Sequence, residues 1–186
     1  GALSFGRATP SPSGWQVECA ARVDFGGGWS DTPPYSLENG GTVLNAAVLL
    51  NDEYPIRATA RRIPEPIVRA RSVDQEATVD AETLEQLRCY DDPEASLSLH
   101  RAVACCAGLD RLAPGENLQT GLLRQVGGGI ELVSESRLPR GCGLGGSSII
   151  TGVLLTALQR LLGRRTSSET TFRHILHVEQ MMTTGG

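Results

Sequence analysis

Between Ser147 and Leu162 apolar side chains stand at Ile149, Ile150, Val153, Leu154, Leu155, Ala157, Leu158, Leu161 and Leu162, on nearly every face of a 3.6-residue helix. A helix of that kind cannot lie on a surface. It has to be covered on several sides, which demands a sheet beneath it and further helices beside it. The segment that enters it, Pro139-Arg-Gly-Cys-Gly-Leu-Gly-Gly-Ser-Ser148, carries glycine at 141, 143, 145 and 146. Glycines strip side chains from the loop, so its N–H groups can approach an anion closely. The helix start adds unpaired N–H donors and about half a positive charge. Ser147 and Ser148 supply hydroxyls where a helix cap or a metal-bound phosphate needs them. Two readings follow: an ordinary capped helix after a flexible loop, or a phosphate cradle.

Composition decides what such a cradle could use. The chain has 186 residues and no lysine, so all 17 basic residues are arginine. That excludes a P-loop lysine, a protein-kinase strand lysine and a Schiff base. Phosphate chemistry would have to rest on backbone N–H groups, arginine and metal. Seventeen basic residues against 21 acidic ones leave no basic excess for a nucleic-acid backbone, so no nucleic-acid partner is expected. No apolar run reaches membrane-spanning length, so no membrane partner is expected either. Five cysteines without CxxC spacing argue for free thiols in a reducing, cytoplasmic setting. The start at Gly1 and the end at Gly185-Gly186 lead us to expect a piece of something longer.

Residues 1–14, rich in Gly, Ser and Pro, read as a linker or tail, and 15–186 as one domain. Alternation predicts strands over 15–23, 42–50, 54–62, 66–73 and 130–134, with 54–62 and 66–73 as an antiparallel pair. Helical spacing predicts helices over 80–89, 94–107, 116–126, 147–162 and 167–182. Strands, then helices, then strand–loop–helix predict an α+β fold with a mixed or antiparallel sheet and helices on one side.

Three further groups carry chemistry. In Ala21-Arg-Val-Asp-Phe-Gly-Gly-Gly-Trp-Ser-Asp-Thr-Pro-Pro34, a strand ends near Arg22 and a glycine loop presents Gly28, Trp29, Ser30 and Asp31. An aspartate on a stiffened turn beside an aromatic wall suits sugar hydroxyls; equally, Asp31 could merely cap the Thr-Pro-Pro turn. Glu179, late in the last helix, could complete the shell of a phosphate-bound Mg²⁺. His174 and His177 are three apart but lack further ligands, and His100 reads as a surface or packing residue. Gly141, Gly143 and Gly146 also match GxGxxG literally. However, Arg137, Pro139 and Arg140 intervene after the strand, and the first acid downstream, Glu169, lies in a predicted helix, so a dinucleotide fingerprint fails on context.

Together these segments resemble the GHMP kinase superfamily. Gly27-Gly-Trp-Ser-Asp31 resembles its substrate loop, and Pro139 through Leu144 to Ser147 and Ser148 its phosphate motif, with two glycines standing between Leu144 and the serines. ARVDFGGGWSDTPP, ARRIPEP and HVEQMMTTGG are most similar to the branch that phosphorylates L-fucose. The resemblance implies a fold like ribosomal protein S5 domain 2, as in the N-terminal half of these kinases. It also implies ATP phosphates on Pro139, Gly141, Gly143, Leu144, Gly145, Gly146, Ser147 and Ser148. Gly28, Trp29, Ser30 and Asp31 would lie on the sugar, Arg22 near the reacting hydroxyl, and Mg²⁺ on Ser147 or Ser148 with Glu179. The implied reaction is L-fucose to L-fucose 1-phosphate in the intact protein, with a heptose or arabinose kinase, or a non-catalytic nucleotide-binding module, as alternatives. The family's catalytic aspartate would lie beyond Gly186, in a C-terminal domain that this one contacts, so the chain alone is expected to be inactive.

Overall fold

A computed structural model describes residues 6–11, 13–92, 97–139, 144 and 146–182. The elements run β1 Arg7–Ser11, β2 Gly14–Cys19, β3 Ala21–Gly26, α1 Tyr35–Asn39, β4 Leu44–Val48, β5 Ile56–Ile63, β6 Val68–Ser72 and β7 Ala77–Ala81. They continue as α2 Leu84–Arg88, α3 Ser98–Cys106, α4 Leu118–Val126, β8 Gly129–Ser136, α5 Gly146–Leu161 and α6 Ser168–Met181. Six strands form one sheet in the order β1-β2-β5-β8-β6-β7; β3 and β4 form a separate antiparallel pair. Within the large sheet only β6 and β8 run parallel. The α+β, mixed-sheet expectation therefore holds.

The all-round apolar helix is the centre of the fold. α5 packs on β5 and β2, with α3 and α6 against it. Val153, Leu154, Ala157 and Leu158 are fully shielded from solvent. The sheet offers it Val17, Ile56, Ala58, Ala60, Ile130 and Leu132, all buried, at alternating positions. The other face of the same strands carries charge. Arg57 lies between Glu18 (2.8 Å) and Glu135 (3.6 Å), Arg61 pairs with Glu131, and Arg69 forks onto both oxygens of Asp80 at 2.8 Å. Alternation of apolar residues with arginine thus has a mechanical reading: one face is core and the other a ladder of guanidinium–carboxylate pairs.

Four expectations change. Residues 7–11, read as part of a linker, pair antiparallel with β2 from Arg7↔Glu18 to Ser11↔Gly14; a strand of five residues with Pro10 in it shows too little alternation to stand out. The strand expected over 15–23 is two strands divided at Ala20, β2 in the large sheet and β3 in the small one. The strands at 56–63 and 68–72 are not partners, because β8 is inserted between them. Finally, the stretch 80–89 opens as β7, which places Ala81 in the core and Asp80 opposite Arg69. The helix begins only at Leu84, after a capping box made by Thr83 and Gln86. No helix among the described residues is long and apolar enough to cross a membrane.

If α5 is the keystone, truncating it should be costly. Leu158→Ala should destabilise the fold by about 2–5 kcal/mol, read as a lower urea midpoint at unchanged m-value.

Candidate active site

The glycine loop after β3 is held by main-chain contacts. The Ser30 hydroxyl lies 2.6 Å from the Gly27 carbonyl and 3.0 Å from the Thr42 carbonyl, and accepts from the Thr42 N–H at 3.1 Å. Two segments are drawn so close that side chains are excluded. A Cβ on Gly27, whose φ is +76°, would fall 1.9 Å from the Thr42 carbonyl oxygen, and one on Gly41 would fall 2.4 Å from that of Ser30. The fold therefore demands these glycines independently of any ligand. Ser30, expected on the sugar, has its hydroxyl engaged in fastening the loop.

Next to this clamp the side chains expected on the sugar are exposed. Trp29 has φ +71° and is 81% exposed. The Asp31 carboxylate is exposed. The reading of Asp31 as a turn cap finds no bond among the described residues. The turn and α1 are closed instead by backbone bonds from the N–H groups of Thr32 to Trp29, Ser36 to Thr32 and Leu37 to Pro34, all at 3.1 Å. Arg22 on β3 pairs with Asp24 at 3.1 Å, and a Cβ on Gly28 would lie 3.9 Å from the Asp24 carboxylate. Arg22, Asp24 and the loop are thus neighbours.

At the second segment, Gly146, Ser147 and Ser148 form the first turn of α5. Gly141, Gly143 and Gly145, and with them Cys142, lie outside the described residues, whereas Pro139 and Leu144 lie within them. The Ser148 hydroxyl donates to Glu179 Oε1 of α6, across 31 residues. Ser147 is exposed, and its carbonyl accepts from the Thr151 hydroxyl at 3.0 Å. Sequence leaves open which serine meets a metal; the structure joins Ser148 to the expected carboxylate. A hydroxyl and a carboxylate are the hard oxygen donors that Mg²⁺ takes, and the helix N-terminus beside them suits phosphate. Both groups therefore fit this chain. Among the described residues, no three His, Cys, Asp or Glu side chains are grouped so that they could together hold a metal ion.

Sequence reasoning missed a cavity of about 420 Å³ beside α5, lined by Ser72, Asp74, Tyr90, Leu97, His100, Ser134, Ile150 and Met182 among others. His100 is 3% exposed, with Nε2 3.0 Å from the Ser134 hydroxyl. Burial pushes its imidazole down to about 4, against the opposing pull of the Arg71 carbonyl and the Asp74 charge, so the ring is neutral at pH 7. Asp74 is itself fixed, accepting from the Ser72 hydroxyl and the Ser136 N–H at 3.1 Å. One signal was available. His100 falls three residues after Leu97 and three before Val103, on the inward face of α3.

Helices pack on a mixed sheet, and the buried helix α5 opens at its serine pair. Residues 103–186 match the family GHMP kinases N terminal domain. More particularly, the chain is 33% identical over 170 residues to the L-fucokinase/L-fucose-1-P guanylyltransferase of Bacteroides fragilis, covering 89% of this chain and 18% of that protein. It is 31% identical over 185 residues to the bifunctional fucokinase/GDP-fucose pyrophosphorylase of Arabidopsis thaliana, covering 94% and 16%. The chain thus spans less than a fifth of the length of these relatives. Among solved structures, a D-glycero-D-manno-heptose 1-phosphate kinase from Bacteriodes thetaiotaomicron shares the fold with TM-score 0.71 and 23% identity, over 92% of this chain and 49% of that one.

The buried histidine gives a pH signature. Its folded-state pKa lies below its ordinary value, so between the two the unfolded chain binds more protons and stability rises with pH. Stability should be full above about pH 6.5 and fall as the pH drops toward 4, by on the order of 3 kcal/mol from this group. Urea unfolding at several pH values should show that loss in the parent chain and a flatter profile in His100→Gln.

Proposed function

We propose that the intact protein transfers the γ-phosphoryl group of ATP to the anomeric hydroxyl of L-fucose, giving L-fucose 1-phosphate and ADP. The observation that carries a kinase reading is the joining of Ser148, at the start of α5, to Glu179 of α6; likeness to two fucokinases supports the sugar. In this reading the N–H groups at the start of α5 bind the phosphates, and the cavity beside Ile150 receives the nucleoside base. Ser148 and Glu179 hold Mg²⁺, which would shield phosphate charge and orient the transferred group. Arg22, near the reacting hydroxyl, stabilises developing negative charge; a guanidinium does not accept a proton at neutral pH, so it is not the base. Asp31 hydrogen-bonds sugar hydroxyls, while Ser30 keeps the loop in place. The exposed apolar side chains of the β3–β4 region, including Phe25 (67%), Leu37 (80%) and Leu44 (67%), are covered by the rest of the kinase. The 186-residue chain alone gives no turnover.

Coupled ADP release by the intact protein across a panel of monosaccharides tests this. L-fucose should give the highest turnover; ADP release that no sugar stimulates would leave a nucleotide-binding module instead. Asp31→Ala should lower kcat/KM for the sugar by about 10- to 100-fold, the scale of hydrogen bonds to a charged group, with ATP affinity nearly unaltered. Glu179→Gln should do the reverse, raising the KM for MgATP and the Mg²⁺ concentration needed for half-maximal rate.

A further inference from the structure

Trp29 is held in a conformation that large side chains rarely adopt. Its φ of +71° is in the left-handed region, where a Cβ crowds the following carbonyl. The cause lies on either side of it. Gly27 is pinned against Thr42, and Ser30 is bonded to both Gly27 and Thr42, so the chain must turn left-handed between them. Glycine would fit there without strain, and Gly28 precedes it. A tryptophan instead occupies the turn and gains little packing, since 81% of it faces solvent. Strain without compensating burial is the mark of a side chain placed for a ligand.

We infer that the Trp29 indole is a stacking platform for the apolar face of the sugar, and that it selects a 6-deoxy hexose over its 6-hydroxy counterpart. This rests on the function proposed above. A galacto-configured pyranose carries its C3, C4 and C5 hydrogens on one face, with C6 alongside; this face meets an aromatic ring and loses no hydrogen bonds. Its hydroxyls remain free for Asp31, two residues away. A C6 methyl lengthens the apolar contact, whereas a hydroxymethyl must give up water at the indole without a partner in exchange. The clamp at Ser30 then has a purpose: it presents the ring in place before the sugar arrives, so that binding does not have to order it.

Steady-state kinetics of the intact protein with L-fucose and with L-galactose, its 6-hydroxy counterpart, test the inference. Trp29→Gly is the informative variant, because glycine accepts the left-handed turn. Its unfolding temperature should be unchanged or higher, while its KM for L-fucose rises at least about 10-fold and its preference for L-fucose over L-galactose falls toward one. The KM for ATP should not move. Trp29→Phe, which restores a ring, should recover most of the lost affinity. An unaltered KM for L-fucose in Trp29→Gly would overturn the platform and leave the kinase reading intact. So would a loss shared equally between ATP and sugar, or a drop in unfolding temperature unaccompanied by a change in sugar preference, since these would make Trp29 a contact within the protein. Absence of sugar-dependent turnover in the parent protein would sink both readings together.

Discussion

Burial of α5 against β5 and β2 is the constraint on which the rest depends. One helix supplies the core and also sets where the Ser147–Ser148 pair stands. Each of Val153, Leu154, Leu155 and Leu158 is essentially fully shielded, and burying such a side chain is worth about 1.5–3 kcal/mol relative to leaving it in water. That burial fixes the axis of the helix, and with it the direction of its dipole and its first free N–H groups. The position of Glu179 follows from the same packing, because α6 lies against α5 and buries Ile175 and Val178. The Ser148–Glu179 contact is therefore set by the interior of the domain. Donors placed this way need no reorganisation when a charged ligand arrives, which is what makes an electrostatic site effective.

The glycine loop after β3 is built on the opposite principle. β3 and β4 belong to a small sheet outside the core, and most of their residues face solvent. Hydrogen bonds and close backbone approach hold the loop where packing cannot: Ser30 on Gly27 and Thr42, with Gly27 and Gly41 leaving no room for side chains. Such a region opens locally at lower free energy than a packed one. One half of the candidate site is held by burial and the other by main-chain contacts, so each is shaped before any ligand arrives.

Much of this was legible in the sequence, for reasons that differ by element. α5 could be read at once, since apolar residues on all faces over four turns have no other stable outcome. The strands at β5 and β6 could be read singly from alternation, yet their partner could not, because β8 lies some sixty residues further along and pairing is decided by the whole sheet. β1, with Pro10 in it, and β7, which runs on into helical spacing from residue 80, did not separate from loop or helix. Ser148 and Glu179 could each be nominated by residue type, but their contact required the packing of α6 on α5. Ser30 shows the limit of residue type: a hydroxyl beside a sugar-like loop suggests a ligand, and only the positions of Thr42 and Gly27 reveal what it fastens. His100 read from sequence as a surface or packing residue; its neutral ring was not legible, since its state depends on how completely its surroundings bury it.

The absence of lysine gives these parts a common electrostatic logic. Arginine cannot be switched off by burial as lysine can, and its fork fits a carboxylate in two places. Across the open face of the sheet that property is used structurally: Arg57, Arg61 and Arg69 each sit on carboxylates of neighbouring strands, and Arg88, Arg124 and Arg137 do the same between elements further along the chain. Their charge is thus largely neutralised within the fold. At the start of α5, by contrast, the charged group brought to Ser148 is an acid, Glu179. A carboxylate there would repel a bound phosphate, so the function proposed above calls for a divalent cation between them as well as the helix dipole. Arg22 sits between these cases. It is paired with Asp24 while 49% of its side chain remains open to solvent, so water already weakens the pair. The function proposed above asks for a guanidinium free to follow developing charge, and one held this loosely meets that demand where one locked into the sheet ladder would not.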